Sequence, residues 1–214
     1  MSVSAIVIGA GGHARVIADA LVANDVRVLG FTELDASRHG TYLDGHPILG
    51  GDEILSRYSN EKVVLANGIG SVGAPVVRRA VHERLSRTGW RFVSVIHPRA
   101  TVSPAALIKE GVQVMAGAVI QAGSTVCEGS IVNTSAVVDH DCILGAHCHI
   151  APGAVLSGGV VLGDGCHVGA GAVVIQSIVL GPNTIVGAGA VVVRSFSAGS
   201  ALLIGIPARS GSRQ

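Results

Sequence analysis

The stretch Val114-Met-Ala-Gly-Ala-Val-Ile120-Gln-Ala-Gly-Ser-Thr-Val126-Cys-Glu-Gly-Ser-Ile-Val132 decides the fold. An aliphatic residue falls on every sixth position. Followed outward in both directions, the beat runs unbroken from Ile96, Val102 and Ile108 through Val138, Leu144, Ile150, Leu156, Leu162, Val168, Val174, Leu180 and Val186 to Val192. Four residues after most beats stands a small residue, such as Ala118, Ser124, Ser130, Ala136, Cys142, Cys148, Ala154, Cys166 or Ala172; Ile178 and Phe196 are the bulky exceptions. A period of six matches neither the α-helix nor the alternation of a half-buried strand. It is the signature of a parallel β-helix, in which each repeat is a short strand plus a corner.

The composition agrees with thin stacked coils. Of 214 residues, 49% are hydrophobic but only 3% aromatic, so the core is built from Val, Ile, Leu and Ala, and 30 glycines supply tight corners. A net charge of +1 gives no electrostatic basis for nucleic-acid binding. No apolar run is long enough to cross a membrane. The opening MSVSAIVIGA lacks the basic start of a signal peptide. Cys142, Cys148 and Cys166 share the inward phase and read as small core residues, Cys127 lies outside it, and no C-x-x-C pair occurs. A reducing, cytoplasmic setting is expected.

The first ninety residues follow another pattern. The apolar run Ala5–Ile8 predicts a buried parallel strand. Gly9-Ala-Gly-Gly-His-Ala14 follows. A helix is predicted over 14–24 with Val16, Ile17, Ala20 and Leu21 on one face, then a strand over 26–31. A glycine turn at a helix N-terminus lets backbone N–H groups approach a phosphate. Its letters fit G-x-G-x-x-A, with Glu33 or Asp35 at the distance of a ribose-binding acid. A helix near 52–58, a strand over 63–66, a helix over 75–88 and a strand over 92–96 complete a Rossmann-like layer of half size, suited to a single nucleotide. The loop Ala66-Asn-Gly-Ile-Gly70 ends a strand on the ligand side. The expected organisation is therefore an α/β Rossmann-like domain over 1–93, a left-handed parallel β-helix over 94–194, and a C-terminal tail over 195–214 whose residues 210–214 are polar and expected to fray.

Three hexads make one triangular coil, so residues eighteen apart stack. His140, in Val138-Asp-His-Asp-Cys142, falls two positions past its beat, at a corner, and its side chain is expected to leave the core. Asp139 and Asp141 flank it, and either carboxylate would fix the imidazole tautomer and leave the other nitrogen as a base. Gly158 stacks over His140 and exposes a backbone N–H suited to a developing oxyanion. His149 stacks under His167. With His147 these histidines admit a zinc site as an alternative, as in trimeric β-helix enzymes of the gamma carbonic anhydrase type, but the flanking residues favour catalysis with no metal.

The glycine turn GAGGHA, the bridge VIHPRATVSP, the block IVNTSAVVDHDC, the LSGG corner and the tail IGIPAR together resemble the hexapeptide-repeat sugar acetyltransferases. That family is typified by the sialic acid O-acetyltransferase NeuD and the bacillosamine-pathway N-acetyltransferase PglD. The resemblance spans nearly the whole chain. It implies a homotrimer with sites between subunits, using acetyl-CoA, with a nucleotide-activated amino sugar held by the N-terminal domain. It implies His140 as base, Asp141 as its acidic neighbour, Asn133 and His149 near the reacting centre, and Gly158 on the thioester carbonyl. It implies that Gly169, Ala170, Gly187, Ala188, Gly189 and Pro207 line the CoA arm, and that Gly11, Gly12 and His13, with Glu33 or Asp35 and Asn67, face the nucleotide. Two departures stand in the nucleotide half: Phe31-Thr-Glu-Leu-Asp35 replaces an Asp-rich stretch, and Ala66-Asn-Gly replaces Gly-Asp-Asn. Acetyl transfer to the amine of a nucleotide-linked 4-amino-4,6-dideoxy sugar is the implied reaction. O-acetylation of a sialic-acid-like sugar, or a non-catalytic nucleotide-sugar-binding trimer, are the alternatives.

Overall fold

A computed structural model describes residues 4–211. The chain divides into two compact units. The first runs to Gly70 and resumes over Val76–Pro98; the second joins Ser71–Pro75 to the chain from Arg99 onward.

In the first unit a five-stranded sheet has the order β3-β4-β2-β1-β5. The strands are β1 (Ser4–Ile8), β2 (Arg27–Thr32), β3 (Tyr42–Leu43), β4 (His46–Gly50) and β5 (Val63–Asn67). The central β1 pairs in parallel with β2 and β5, and Ala5 to Ile8 are buried, as an unbroken apolar run requires. Helix α1 (Gly12–Val22) packs through Ala14, Ile17, Ala18, Ala20 and Leu21. Val16, placed on that face by the sequence, is instead 44% exposed, because the buried stripe turns toward the alanines. Gly68 lets the chain after β5 pass close to α1: a Cβ there would lie 2.7 Å from the Cβ of Ala14. Helix α2 (Val76–Arg87) follows. The strand expected over 92–96 is reduced to a bridge between Phe92 and Leu65 and the two-residue strand Val95–Ile96. Leu65 exchanges backbone bonds with this segment through Arg91 and Val93.

In the second unit every beat from Val102 to Val192 closes a two-residue strand. Pairing advances by eighteen residues, as in Val119 with Val137 and Val137 with Val155. Three parallel faces result. The first carries Thr101–Val102, Val119–Ile120, Val137–Val138 and their successors; the second begins at Leu107–Ile108, and the third contains Gln113–Val114, Ile131–Val132, His149–Ile150 and His167–Val168. The beats from Val114 onward are buried, each contributing about 1.5–3 kcal/mol by leaving water. Val102 and Ile108 are only half-buried, since no complete coil lies beneath them.

The small inward residues also do polar work. Ser124 Oγ donates to the Asp139 carbonyl at 2.6 Å, and the thiols of Cys142, Cys148 and Cys166 donate to the carbonyls of Ser157, Gly163 and Gly181. Each tie reaches the corner of the next coil, where a buried carbonyl needs a donor. Past Val192, the strand Leu202–Ile204 extends the third face in parallel, and Arg209–Ser210 returns antiparallel, pairing Ser210 with Leu203. Ser210 is therefore held, whereas residues 212–214 of the tail expected to fray lie outside the described residues. Among the described residues no helix is long and apolar enough to cross a membrane.

Candidate active site

His140 stands on the edge between the first and second faces, with its side chain 62% exposed. Its Nδ1 lies 2.8 Å from Asp141 Oδ2, while Asp139 Oδ1 accepts from the His140 backbone N–H at 2.8 Å. The structure thus separates the two flanking acids: Asp141 orients the ring and Asp139 braces the corner. The hydrogen bond to Asp141, then the charge of Asp139, raises the His140 pKa above that of an ordinary histidine. Asp141 has φ +58°, in the left-handed position that Gly123 and Gly159 hold in the coils below and above. A non-glycine residue there costs roughly 1–2 kcal/mol.

Gly158 is buried directly beyond the ring, and a Cβ on it would lie 2.5 Å from His140 Nε2. Gly159 N–H donates to the His140 carbonyl, which fixes the register of the two coils, while the Gly158 N–H has no acceptor among the described residues. Ser124 and Cys142, through the Asp139 and Ser157 carbonyls, tie the residues that precede His140 and Gly158.

Asn133 and His149 occupy a different edge, between the third and first faces. Asn133 Nδ2 lies 3.1 Å from His149 Nε2, and His149 Nδ1 lies 3.0 Å from both the carbonyl oxygen and Oγ of Ser71. His149 is 8% exposed and meets the buried His167 edge to face at 5.0 Å; burial lowers the His167 pKa. Among the described residues no group of three or more His, Cys, Asp or Glu side chains is placed to hold a metal ion.

The expected CoA-lining residues collect on the Asn133 edge. Ala170, Ala188 and Gly189 are exposed there, and a Cβ on Gly153, Gly171 or Gly189 would meet nothing within 4 Å. The edge is a bare backbone track. Gly169 and Gly187 are glycine for another reason: a Cβ on Gly169 would lie 2.6 Å from the Ala188 nitrogen, and one on Gly187 would lie 3.1 Å from Ile204. The tail crosses this edge, since Val191 N–H donates to Gly205 and Ala208 N–H to Val191, with a cis peptide before Pro207.

The first unit holds a cavity of about 590 Å³ lined by Gly11, Gly12, His13, Glu33, Leu34 and Asp52, with Ile69, Val77, Val81 and Arg84 among its walls. Among the described residues no side chain caps the first turn of α1, and a Cβ on Gly11 or Gly12 would meet nothing within 4 Å. Glu33 lines the cavity, with its carboxylate engaged by Arg38 and by the Leu34 and Asp35 N–H groups. Asp35 and Asn67 do not line it. Asp35 caps the short turn at Ala36–Arg38 by accepting from Ser37 N–H. Asn67 is buried, donates to the Arg78 carbonyl and accepts from Ile69 N–H. Arg78, also buried, donates to the Asn67 and Ile69 carbonyls at 2.8 and 2.6 Å, and its pKa is pushed down by desolvation to about 9. The sequence reading missed Thr32, Asp52, Arg84 and Ser71. Thr32 accepts from Gly9 N–H and donates to Asp52, which pairs with Arg84, so this chain of contacts spans strands whose adjacency has no period to reveal it.

Residues 4–85 match the PglD N-terminal domain family, and residues 93–188 match the C-terminal domain family of GMPPB. The acetyltransferase domain of PglB from Neisseria gonorrhoeae, solved with acetyl coenzyme A, is similar at 39% identity and TM-score 0.89, over 98% of this chain and 100% of that one. PerB from Caulobacter crescentus, solved with CoA and GDP-perosamine, matches at 39% identity and TM-score 0.89 over 98% and 97%. WeeI from Acinetobacter baumannii matches at 25% and 0.85 over 98% and 100%. Among curated proteins no significant match is found. The left-handed β-helix carrying a cornered histidine–carboxylate pair is that of a hexapeptide-repeat acyltransferase. Within that class, the chain belongs to the acetyl-CoA-dependent sugar N-acetyltransferases.

Proposed function

We propose that this protein transfers the acetyl group of acetyl-CoA to the amine of a nucleotide-linked 4-amino-4,6-dideoxy sugar. The observation that carries the reading is the His140–Asp141 pair set against Gly158. The amine nitrogen attacks the thioester carbonyl carbon. His140 Nε2 takes the amine proton while Asp141 holds Nδ1, and the Gly158 N–H receives the oxyanion. As the C–S bond breaks, the imidazolium returns the proton to the CoA thiolate. The bare edge past Gly153, Gly171 and Gly189, with the Gly205–Ala208 tail, suits the CoA arm. The cavity at Gly11, Gly12 and His13 suits the nucleotide phosphates. A cytoplasmic setting fits the four free cysteines.

The active form is a homotrimer. His140 and the Asn133–His149 pair stand on different edges of one prism, so a single chain does not bring them together. A threefold assembly sets one chain's His140 edge against its neighbour's Asn133 edge. The relatives crystallised with acetyl coenzyme A and with GDP-perosamine support the co-substrate and the acceptor class.

The test is thiol release from acetyl-CoA across a panel of amino-sugar nucleotides, with the product's mass and its stability to base. An acetyl group that survives mild base is the amide expected. Absence of thiol release with every amino sugar, or a base-labile ester, overturns the reading.

A further inference from the structure

We propose that His149 is a positioning residue rather than an acid or base, held neutral with its proton on Nδ1 by Ser71, and that its role is to fix the amide of Asn133. The inference rests on the reading of Asn133 as a group of the acetyl-transfer site.

The hydrogen bonds determine the tautomer. Thr134 N–H donates to Asn133 Oδ1 at 2.8 Å, so the oxygen end of the amide is assigned. The nitrogen end then faces His149 Nε2 at 3.1 Å, and an amide nitrogen only donates, so Nε2 presents a lone pair. A neutral imidazole with a lone pair on Nε2 carries its proton on Nδ1. The Ser71 carbonyl, at 3.0 Å from Nδ1, accepts that proton. Ser71 Oγ, also at 3.0 Å, adds a second acceptor. Both ring nitrogens are therefore engaged by the protein. His149 is buried beside His167, whereas His140 is exposed and its Nε2 has no hydrogen-bond partner among the described residues.

The consequence falls on Asn133. One Nδ2 hydrogen goes to His149, and the other has no acceptor among the described residues. Asn133 is half-exposed at the foot of the bare glycine edge, so this second hydrogen is offered to an acyl or sugar oxygen. Ser71 is the least expected member of the relay. It lies 78 residues before His149, in a segment laid against the third face, where Gly73 approaches Ile185 and Pro75 approaches Gly165. It also directly follows Gly68, Ile69 and Gly70, which line the nucleotide cavity.

Two measurements test this. Long-range ¹H–¹⁵N NMR of the histidines in the ligand-free protein reads the tautomer without any acetyl acceptor. The wild type is expected to show His149 protonated at Nδ1 only. Asn133→Asp, which places an acceptor opposite Nε2, is expected to add a proton at Nε2. Kinetics read the role. His149→Gln keeps an oxygen that accepts from Asn133 and is expected to hold kcat within about fivefold. His149→Leu releases the amide and is expected to lower kcat about 10²-fold with the KM for acetyl-CoA little changed. An Nε2-protonated His149 in the wild type, or equal loss in the Gln and Leu variants, overturns the proposal. If His149→Leu does not fold, the two NMR spectra still decide. Failure of the wild type to acetylate any amino sugar would strike the proposed reaction and leave the tautomer result standing.

Discussion

Gly158 vacates the volume that the His140 imidazole occupies. A Cβ on Gly158 would stand 2.5 Å from both Cε1 and Nε2 of that ring. Two residues eighteen apart in sequence thus pack as one unit, an imidazole and a backbone amide beside it. Gly158→Ala is expected to push the exposed ring from its place and lower kcat by about 10²-fold, close to His140→Ala at about 10²–10⁴-fold. Steady-state kinetics with sedimentation to confirm the assembly checks this; full activity in either variant would remove His140 from its role.

The pH profile follows from the His140 corner. With His140 as the proposed base, active when neutral, kcat/KM is expected to rise with pH through a pKa held above the ordinary histidine value by Asp141 first and Asp139 second. Removing either carboxylate lowers that pKa. Asp141→Asn and Asp139→Asn are therefore expected to move the acidic limb to lower pH, with Asp141→Asn also reducing the plateau because the ring loses its orientation. A limb that moves upward, or stays put in both variants, contradicts the assignment.

Asp141 also holds a left-handed corner where its neighbours in the stack are glycines. Asp141→Gly is expected to relieve about 1 kcal/mol of backbone strain while removing the ring's partner. The melting temperature should hold or rise as kcat falls by tenfold or more. Loss of both together would mean that the side chain is structural.

Separate edges for His140 and Asn133 make a sharper test of assembly. The His140→Ala and Asn133→Ala proteins, each expected to be impaired alone, are unfolded together and refolded as the mixed trimers proposed above. If each site draws His140 from one chain and Asn133 from the next, random mixing at equal amounts restores about one quarter of the wild-type sites. No recovery in verified mixed trimers would place both groups in one chain's site.

In the first unit, Arg78 holds the loop that walls the cavity at Gly11, Gly12 and His13. Arg78→Met strips donors from the buried Asn67 and Ile69 carbonyls and is expected to cost about 2–4 kcal/mol. The KM for the nucleotide sugar should rise more than that for acetyl-CoA. Denaturant melts and a two-substrate kinetic comparison read both effects.

The repeat made much of this legible. A period of eighteen placed Gly158 over His140 and His149 under His167, because parallel coils stack in register and each stacked pair is one backbone spacing apart. The glycine turn likewise marked the cavity at Gly11, Gly12 and His13. Where no period operates, the sequence left side-chain placement open. Asp35 stood beside Glu33 at the spacing of a ribose-binding acid, and Asn67 stood in the loop that ends a strand, yet local bonds make Asp35 a turn cap and Asn67 a brace for Arg78.

The unbroken hexad of aliphatic residues by itself determined that Cys142, Cys148 and Cys166 face inward and that His140 meets Gly158 at a corner. The reason is that burying one apolar residue per six leaves a single phase for every other position. Only the tertiary structure decided that Asp141 rather than Asp139 holds the ring, that Arg78 braces the loop over 67–69, and that Ser71 reaches His149. Those choices depend on side-chain direction at a corner and on chain segments far apart in sequence, which meet only when each unit has folded.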